Sequence, residues 1–456
     1  MSANVLPIEG SFFFTDVDPE VALKDSRDPL GFQPLWSHFG RKLVGNLTTV
    51  TTSVRGFTTM LLGHHLASRL VESGAVSAAE YIEPFLRFEQ IAAYSRIAWA
   101  KETGDALGSI RGIRRVEARF KNGHGRVRIA ADRDGQILSN QKTYGLWGLY
   151  SVAATNSGLL QPSRLSVTTR STTFLEKNVL PALDQRRWGG IDALLRMVAA
   201  RECFFEPAGK DKALGRTLAN LHSPEFGPPD RDFYSANLID GKHCHPDGRQ
   251  QRLWSRIEQY NNSPQKWLSP FDMVELAAIS SECQASNDTL DQVIAEWLGK
   301  IRTLEHVLVP AEQVFDFVLG QRGQPVKAVA GELSRRWNGA FHHLDASRFL
   351  DVMPAVNDAT SETETSTRLR TIGSCLREGR FEDAVRLIVQ HNEYVMQRRS
   401  GGAWVAIKND RIEVRYSDQT GEPMDGADLP DGWRNTYFLD ALKSVGAAVF
   451  MKVAQE

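Results

Sequence analysis

Apolar residues recur three and four positions apart over most of this chain. This spacing is typical of helices that bury one face, and it predicts two long neighbouring helices within 57–70 and 81–97. The same pattern covers most of 253–350, and it returns at 437–449 near the end of the sequence. The chain is therefore predicted to be mainly α.

Three shorter segments alternate apolar and polar residues and predict small β elements. Residues 115–133 alternate Val116 and Phe120 with charged neighbours around a glycine-rich turn, which predicts a hairpin whose outer face is largely arginine. A second hairpin is predicted from 404–407 and 412–416, and a strand from 233–239. Together with the helices, these elements predict a mainly α fold with small β elements (α+β).

Changes in composition divide the chain into four predicted parts. Residues 206–232 are rich in proline, glycine and charge, and 356–367 are polar and poor in apolar residues, so both are interpreted as connections. The predicted domains are an N-terminal helical domain with an extended arm (1–110), a basic winged-helix-like domain (111–215), a second helical domain (216–355) and a small α+β unit after a polar linker (368–456).

Overall composition indicates a globular protein in a reducing compartment. Of 456 residues, 42% are hydrophobic and 24% charged, which excludes a mostly disordered chain. The four cysteines lie far apart without a CxxC motif, so they suit neither a disulfide framework nor a standard zinc site. No apolar run approaches the roughly 20 residues of a membrane span, and no basic segment opens the sequence. We therefore expect a cytoplasmic protein with no membrane partner.

A net charge of −1 hides a strong asymmetry along the chain. Residues 1–215 carry 27 lysines and arginines against 21 acidic residues, whereas the remainder carries 27 against 34. Residues 111–215 alone hold 18 basic and 9 acidic side chains. A local positive surplus of this kind suggests a polyanionic partner. A solvated basic face balanced by the acidic half of the chain is the alternative interpretation.

The segment 139–183 resembles the central part of a winged helix-turn-helix domain. A capped helix ends in Ser157-Gly158-Leu159-Leu160, and a short strand and another helix follow. In such domains a helix enters the major groove and the wing contacts phosphate. The helix also carries Trp147, Leu149 and Tyr150, so a core helix and a protein-docking module stay open as alternatives.

Ten basic side chains are the predicted nucleic-acid contacts. Arginine suits this role because its planar guanidinium pairs with phosphate oxygens or guanine edges through two bonds. The predicted contacts are Arg111, Arg114, Arg115, Arg119, Lys121, Arg126, Arg128, Lys142, Arg164 and Arg170.

A rival hypothesis is a metal-dependent nuclease. Asp230 and Asp240, with Lys242, form a PD…DxK-like string in which two carboxylates would hold Mg²⁺ and the lysine would orient the attacking water. Magnesium is expected only under this hypothesis, and no other cofactor is. The neighbouring His243-Cys244-His245 would need a further ligand to bind zinc, so loop residues without that role are the preferred interpretation.

Familiar catalytic motifs are missing from the sequence. There is no Walker-type phosphate loop, no GxGxxG after a strand, no GxSxG and no HExxH, which argues against several large enzyme classes. The sequence therefore discloses no reaction, and a non-enzymatic role is favoured.

Near its start the chain reads Asp28-Pro29-Leu30-Gly31-Phe32-Gln33-Pro34-Leu35-Trp36, and it continues through Leu47-Thr48-Thr49 to Arg55-Gly56. This stretch resembles the opening of uncharacterised bacterial proteins. Those proteins are encoded in restriction or anti-phage gene clusters beside helicases or nucleases. The resemblance implies an accessory subunit with DNA-processing partners and identifies no catalytic residues. The leading hypothesis is a nucleic-acid-binding or adaptor subunit of such a defence system. A protein-interaction scaffold without nucleic-acid contact is the third hypothesis.

Overall fold

The computed structural model describes residues 28–51, 53–104, 110–162, 166–185, 188–223, 225–337, 339–343, 346–360, 363–416 and 424–450. Within them the chain is mainly helical, with two small antiparallel sheets. The prediction of a mainly α fold with small β elements is confirmed. In this part of the chain, no helix combines the length and the apolar character that a membrane crossing requires.

Two long helices, several shorter helices and one strand pair make up the described part of the first half of the chain. Two single π-helical turns, Leu175–Val179 and Ser235–Ile239, extend helices there, and Ala78–Glu80 is a 3₁₀ turn. The elements are α1 Gln33–Arg41, α2 Val54–Glu72, α3 Ile82–Thr103, α4 Ile113–Asn122, β1 Val127–Ala130, α5 Gln141–Tyr144, α6 Leu146–Asn156, α7 Thr169–Phe174, α8 Leu180–Leu183, α9 Gly190–Ala199, β2 Glu202–Phe205, α10 Lys212–Asn220 and α11 Pro228–Tyr234.

Longer helices dominate the second half. Ala340–His343 and Leu429–Asp431 are 3₁₀ turns. The elements are α12 Arg249–Tyr260, α13 Pro264–Leu268, α14 Met273–Gln284, α15 Thr289–Leu319, α16 Val326–Trp337, α17 Ala346–Thr360, α18 Thr363–Arg377, α19 Phe381–Arg398, β3 Val405–Lys408, β4 Arg411–Val414 and α20 Leu439–Phe450.

Contacts group the described residues into two compact units. Among the described residues, the larger unit draws on those within 40–271, 275–297 and 436–450, and the smaller unit on those within 28–39, 272–274 and 298–435. Each unit is thus assembled from segments that are distant in the sequence. The division into four consecutive domains stays a prediction.

The core of the larger unit forms around the two predicted helices, α2 and α3. They pack against each other through buried side chains that include Phe57, Leu61, Phe85 and Ile91. α10 packs on α3, and α6 packs on α2. Burial of these large apolar side chains contributes roughly 1.5–3 kcal/mol each. This helical core is the scaffold on which the candidate site is built.

The predicted arginine-faced hairpin of residues 115–133 is wrong. Residues 113–122 form α4, and β1 pairs with the distant β2, in a register that places Val127 opposite Phe205. Ile113, Val116 and Phe120 are also spaced three and four apart, so the segment fits a helical period as well as alternation. α4 buries Val116 and Phe120 and leaves Ala118 exposed.

A winged-helix arrangement of the middle region is not confirmed, although the helix cap and the glycine turn predicted within it are present. Asn140 caps α5, because its side chain accepts a hydrogen bond from the backbone N–H of Thr143 at 3.1 Å. After α6, Gly158 adopts a left-handed φ of 70° and Leu159 is buried, as the sequence predicts. Beyond this cap, a single bridge between Leu160 and Val167 lies where the short strand was predicted, and α7, a π turn and α8 follow it.

Two further local predictions are wrong. Residues 233–239, predicted as a strand, are helical, since they continue α11 through the π turn. The predicted linker at 356–367 is occupied by the end of α17 and the start of α18. There, Glu364 forms an ion pair one turn away with Arg368, at 2.8 Å, and Leu369 is buried.

The smaller unit contains the second hairpin as predicted. β3 pairs with β4, and the turn residues Asn409 and Asp410 have φ values of 48° and 61°. Positive φ at both central positions is typical of a type I′ turn, whose twist suits a two-residue hairpin loop. α16 packs against α19 beside this hairpin, which buries Leu333 and Ile388.

We expect Gly446→Ala to destabilise the larger unit by about 1–3 kcal/mol, because overpacking strains a filled core. Gly446 lies in α20, and a Cβ there would overlap the ring of the buried Trp254 in α12. Urea unfolding measures the change. The control is Gly299→Ala in α15, where a Cβ meets nothing within 4 Å. This control should gain about 0.5–1 kcal/mol. Equal effects of the two substitutions would contradict the packing argument.

Candidate nucleic-acid interface and an enclosed polar pocket

The helix α4 carries the densest group of the predicted nucleic-acid contacts. Its buried side chains Val116 and Phe120 fix which face turns outward. Arg114 and Lys121 are exposed and lie seven positions apart, which places them two turns apart on the same side, about 10.5 Å along the axis. Arg115 is exposed as well. The helix therefore presents three cations to solvent, with the exposed Glu117 between Arg114 and Lys121 on the same side.

Hydrogen bonds hold the loop after β1 beside this helix. The Arg119 guanidinium donates to the carbonyl oxygens of Gly135 and Gln136 at 2.8 and 2.9 Å, and Arg115 donates to Gln136 at 3.3 Å. Arg133 is exposed in the same loop. These bonds use neutral acceptors, so they position the guanidinium groups without neutralising their charge.

We call the side chains of Arg114, Arg115, Arg119, Lys121 and Arg133 the basic face. Two exposed acidic residues, Glu117 and Asp134, lie in the same segments and reduce its charge to a surplus of three. Within the described part of the chain, none of the five cations forms an ion pair with a carboxylate. The basic face thus retains its positive charge at the surface.

Arg126 and Arg128, by contrast, are engaged by carboxylates next to the β1–β2 sheet. Arg128 pairs with Glu202 at 2.8 Å and donates to Asp132 at 3.0 Å. These hydrogen bonds raise the pKa of Arg128 and lower the pKa of Asp132 to about 2. Arg126 lies 3.5 Å from Glu206 and stacks 4.2 Å from the centre of the Phe204 ring. The protein's own acids therefore offset part of the predicted basic surface.

The other predicted contacts lie apart from α4 or at its start. Arg170 donates to the side-chain oxygen of the buried Asn237 at 2.6 Å, and Lys142 is exposed on α5. Arg111 is half-buried and donates to the carbonyl of Val50 at 3.3 Å. Arg164 lies outside the described residues.

In the nuclease hypothesis a strand is predicted between Asp230 and Asp240, whereas the residues between them are helical. Asp230 lies on α11 and pairs with Arg55 at 3.4 Å, while Asp240 follows the π turn and pairs with Lys242 at 3.7 Å. Ten helical residues separate the two carboxyl groups along the chain, a rise of roughly 15 Å. In the described ranges, no three His, Cys, Asp or Glu side chains gather as a metal site would require.

His243, Cys244 and His245 point to different partners. His245 Nε2 lies 3.1 Å from the carbonyl oxygen of Arg41, and the Cys244 thiol donates to the carbonyl of Asn156 at 3.1 Å. His243 is exposed beside Gly158. These contacts fix the loop after the π turn against neighbouring backbone.

A polar pocket that the sequence did not predict lies between α2, α3 and α6. Its cavity of about 40 Å³ is bordered on α3 by Glu89, Ala92, Ala93 and Arg96. These residues follow the i, i+3, i+4, i+7 spacing of one helical stripe, and the two alanines leave room between the two charged side chains. The sequence does contain this signal, as charged and small residues on the stripe of an otherwise apolar helix.

Polar groups from the rest of the fold complete the pocket. Ser53 and Tyr150 lie on one side and share a hydrogen bond, while Arg111 borders the cavity from the residues just before α4. His222 contributes a ring whose Nε2 lies 2.5 Å from the Thr59 hydroxyl. Tertiary packing alone brings these side chains together.

The environment of Glu89 and His222 shifts their protonation. Burial raises the pKa of Glu89 to about 7, although hydrogen bonds from the Leu146 N–H at 2.7 Å and from Gln141 at 2.8 Å oppose the shift. Burial, helped by the charges of Arg96 and Arg55, holds the pKa of His222 well below its usual value. The imidazole is thus neutral at pH 7, and Glu89 is close to half protonated.

The two arginines give the pocket a positive charge. Burial lowers the pKa of Arg96 to about 10, which still leaves its guanidinium protonated at pH 7. Among the described side chains that border the cavity, Glu89 is the sole carboxylate. Two arginines, one partly ionised Glu89 and a neutral His222 sum to between one and two positive charges. The pocket is therefore suited to an anion.

The chain matches no protein-family model, no curated protein and no solved structure.

Proposed function

We propose that this protein binds nucleic acid through phosphate contacts at its basic face. The observation that carries the proposal is the exposure of Arg114, Arg115 and Lys121 on α4, beside Arg133, without carboxylate partners in the described part of the chain. Lysine and arginine side chains supply most of the affinity of non-specific nucleic-acid binding, because each phosphate contact releases a condensed counterion.

The wider role that we propose is that of an adaptor subunit in an anti-phage assembly, beside separate helicase or nuclease partners. Its support is the resemblance of residues 28–56 to defence-cluster proteins. The adaptor role agrees with a binding surface built from phosphate-type contacts, since such contacts position a protein on a duplex without reading sequence. Sequence choice and catalysis would then belong to the partner proteins.

We expect binding to a fluorescent duplex to weaken steeply with salt. If three phosphates are contacted, raising salt from about 50 to about 200 mM lowers the affinity about 40-fold. Fluorescence anisotropy at several salt concentrations gives the slope. Absence of binding at the lowest salt would contradict the proposal and favour a protein-interaction scaffold, in which the arginines meet the acidic surface of a partner.

The double variant Arg114→Gln/Lys121→Gln tests whether α4 is the surface involved. It should reduce the slope of log affinity against log salt by about two, one unit for each lost phosphate contact. The matched control is Lys327→Gln/Arg370→Gln, which removes two exposed cations from α16 and α18 and changes the net charge equally. A similar loss in both double variants would indicate a response to total charge and contradict a site on α4.

A further inference from the structure

The polar pocket bordered by Glu89, Arg96 and Arg111 is large enough for a small ligand group. Its volume of about 40 Å³ is about three times the minimum that one water molecule requires. Its walls are well defined, because Glu89 and Tyr150 are buried at 4% and 3% exposure and Tyr150 packs edge-on against Phe57. The cavity therefore has a fixed shape before any ligand enters.

The donors around the cavity suit a tetrahedral oxyanion better than a carboxylate. Arg96 and Arg111, whose guanidinium groups are planar forks of N–H donors, border the cavity together with the hydroxyl-bearing Ser53, Thr59 and Tyr150. A carboxylate offers two oxygens, whereas a phosphate monoester offers three terminal oxygens and up to two negative charges. The positive charge of the pocket matches that dianion.

Neighbouring groups determine which charges face the ligand. From α3 come Glu89 and Arg96, from the segment before α4 comes Arg111, and from the loop after α10 comes the neutral His222. The charge of Arg111 acts on Glu89 and lowers the pKa of this carboxyl group, in opposition to the effect of burial. We place the phosphate between Arg96 and Arg111.

We propose that this pocket binds a phosphate group, either as a free phosphate or as the phosphate monoester of a nucleotide or a strand end. Arg96 and Arg111 hold its oxygens. This inference does not rest on the nucleic-acid proposal, because none of its residues except Arg111 was predicted to contact nucleic acid, and Arg111 faces the cavity.

Isothermal titration of the full chain with inorganic phosphate tests the proposal. We expect measurable binding by the wild type, and a loss of affinity of at least about tenfold in Arg96→Gln and in Arg111→Gln, since each removes charge-assisted hydrogen bonds. Circular dichroism checks that each variant folds, and if Arg96→Gln does not fold, Arg111→Gln decides. Lys327→Gln, which removes an exposed cation of α16 that belongs to neither proposed site, is the control that should bind phosphate as the wild type does.

Two paired titrations distinguish the source of the phosphate. A nucleoside monophosphate is compared with its nucleoside, and a 5′-phosphorylated single strand with the same strand ending in a hydroxyl. Tighter binding of the phosphorylated member of either pair supports the site and identifies its source. The proposal is overturned if the wild type does not bind phosphate, or if Arg111→Gln binds phosphate as tightly as the wild type does. Duplex binding and its change in Arg114→Gln/Lys121→Gln report on the basic face, whereas phosphate binding and its loss in Arg111→Gln report on the pocket. Failure of one proposal is therefore distinguishable from failure of the other.

Discussion

Lys443→Met is expected to lower the free energy of unfolding by about 3–5 kcal/mol, the largest effect that this structure predicts. Lys443 Nζ donates to Glu275 Oε2 at 2.6 Å, and the two side chains are 4% and 3% exposed. Asn261 donates to the other oxygen of Glu275 at 2.6 Å. Loss of the ammonium group would leave the Glu275 charge buried with too little compensation. Urea unfolding followed by tryptophan fluorescence measures the change.

A double variant separates the charge effect from a simple packing effect. Glu275→Leu/Lys443→Met should recover most of the lost stability, because replacing both members of a buried pair by apolar groups is often neutral. The control is Lys408→Met, which breaks the exposed pair with Glu413 at 2.9 Å and should cost less than about 1 kcal/mol. Equal costs for Lys443→Met and Lys408→Met would contradict the argument.

Local signals made much of the fold predictable from the sequence. Helical spacing in α2 and α3 predicts their packing face, the Asn140 cap determines where α5 begins, and the second hairpin was located to within a residue or two. In these segments one structural period fits much better than the other, or a turn residue has a specific conformational role. Such information is local and therefore readable in the chain itself.

The failures occurred where two structural periods fit equally or where the partner lies far along the chain. Residues 113–122 satisfy both alternation and helical spacing, and the choice depends on β1 finding its partner β2 more than 70 residues later. The polar composition of 356–367 hid the ends of two helices, because the apolar residues that α18 buries begin only at Leu369 and an ion pair between Glu364 and Arg368 supports its polar first turns. Composition alone does not resolve these cases.

The candidate site shows the same limit more strongly. Its basic face could be predicted as a charge surplus, but which arginines remain without carboxylates depended on Glu202 and Glu206 returning to β1. The pocket joins Ser53, Glu89, Tyr150 and His222, which span about 170 positions of the sequence. Only the stripe of charged and small residues on α3 could be recognised in the sequence. The same residues are equally typical of a helix face that is exposed to solvent, so the pattern alone did not identify a pocket.

Asp291→Asn is expected to destabilise the larger unit by about 2–4 kcal/mol. The Asp291 carboxylate is fully buried and accepts hydrogen bonds from Arg252 at 2.7 and 2.9 Å and from Arg256 at 2.5 and 3.1 Å. We place the effect below that of Lys443→Met because both arginines are partly exposed, so water solvates them when the carboxylate is lost. Urea unfolding again measures the change.

The pH dependence of this variant provides a second and independent test. Hydrogen bonds from Arg252, with those from Arg256, hold the pKa of Asp291 far below the 3.8 of an unfolded aspartate. Its contribution to stability is therefore present above pH 3.8 and is lost as the pH falls towards the folded pKa, since the unfolded state then binds the additional proton. The difference between wild type and Asp291→Asn should shrink as the pH falls below about 4. Glu332→Gln removes a partly exposed carboxylate that also accepts hydrogen bonds from two arginines. A much smaller effect of this control on the free energy of unfolding would show that burial, not the number of hydrogen bonds, makes Asp291 critical.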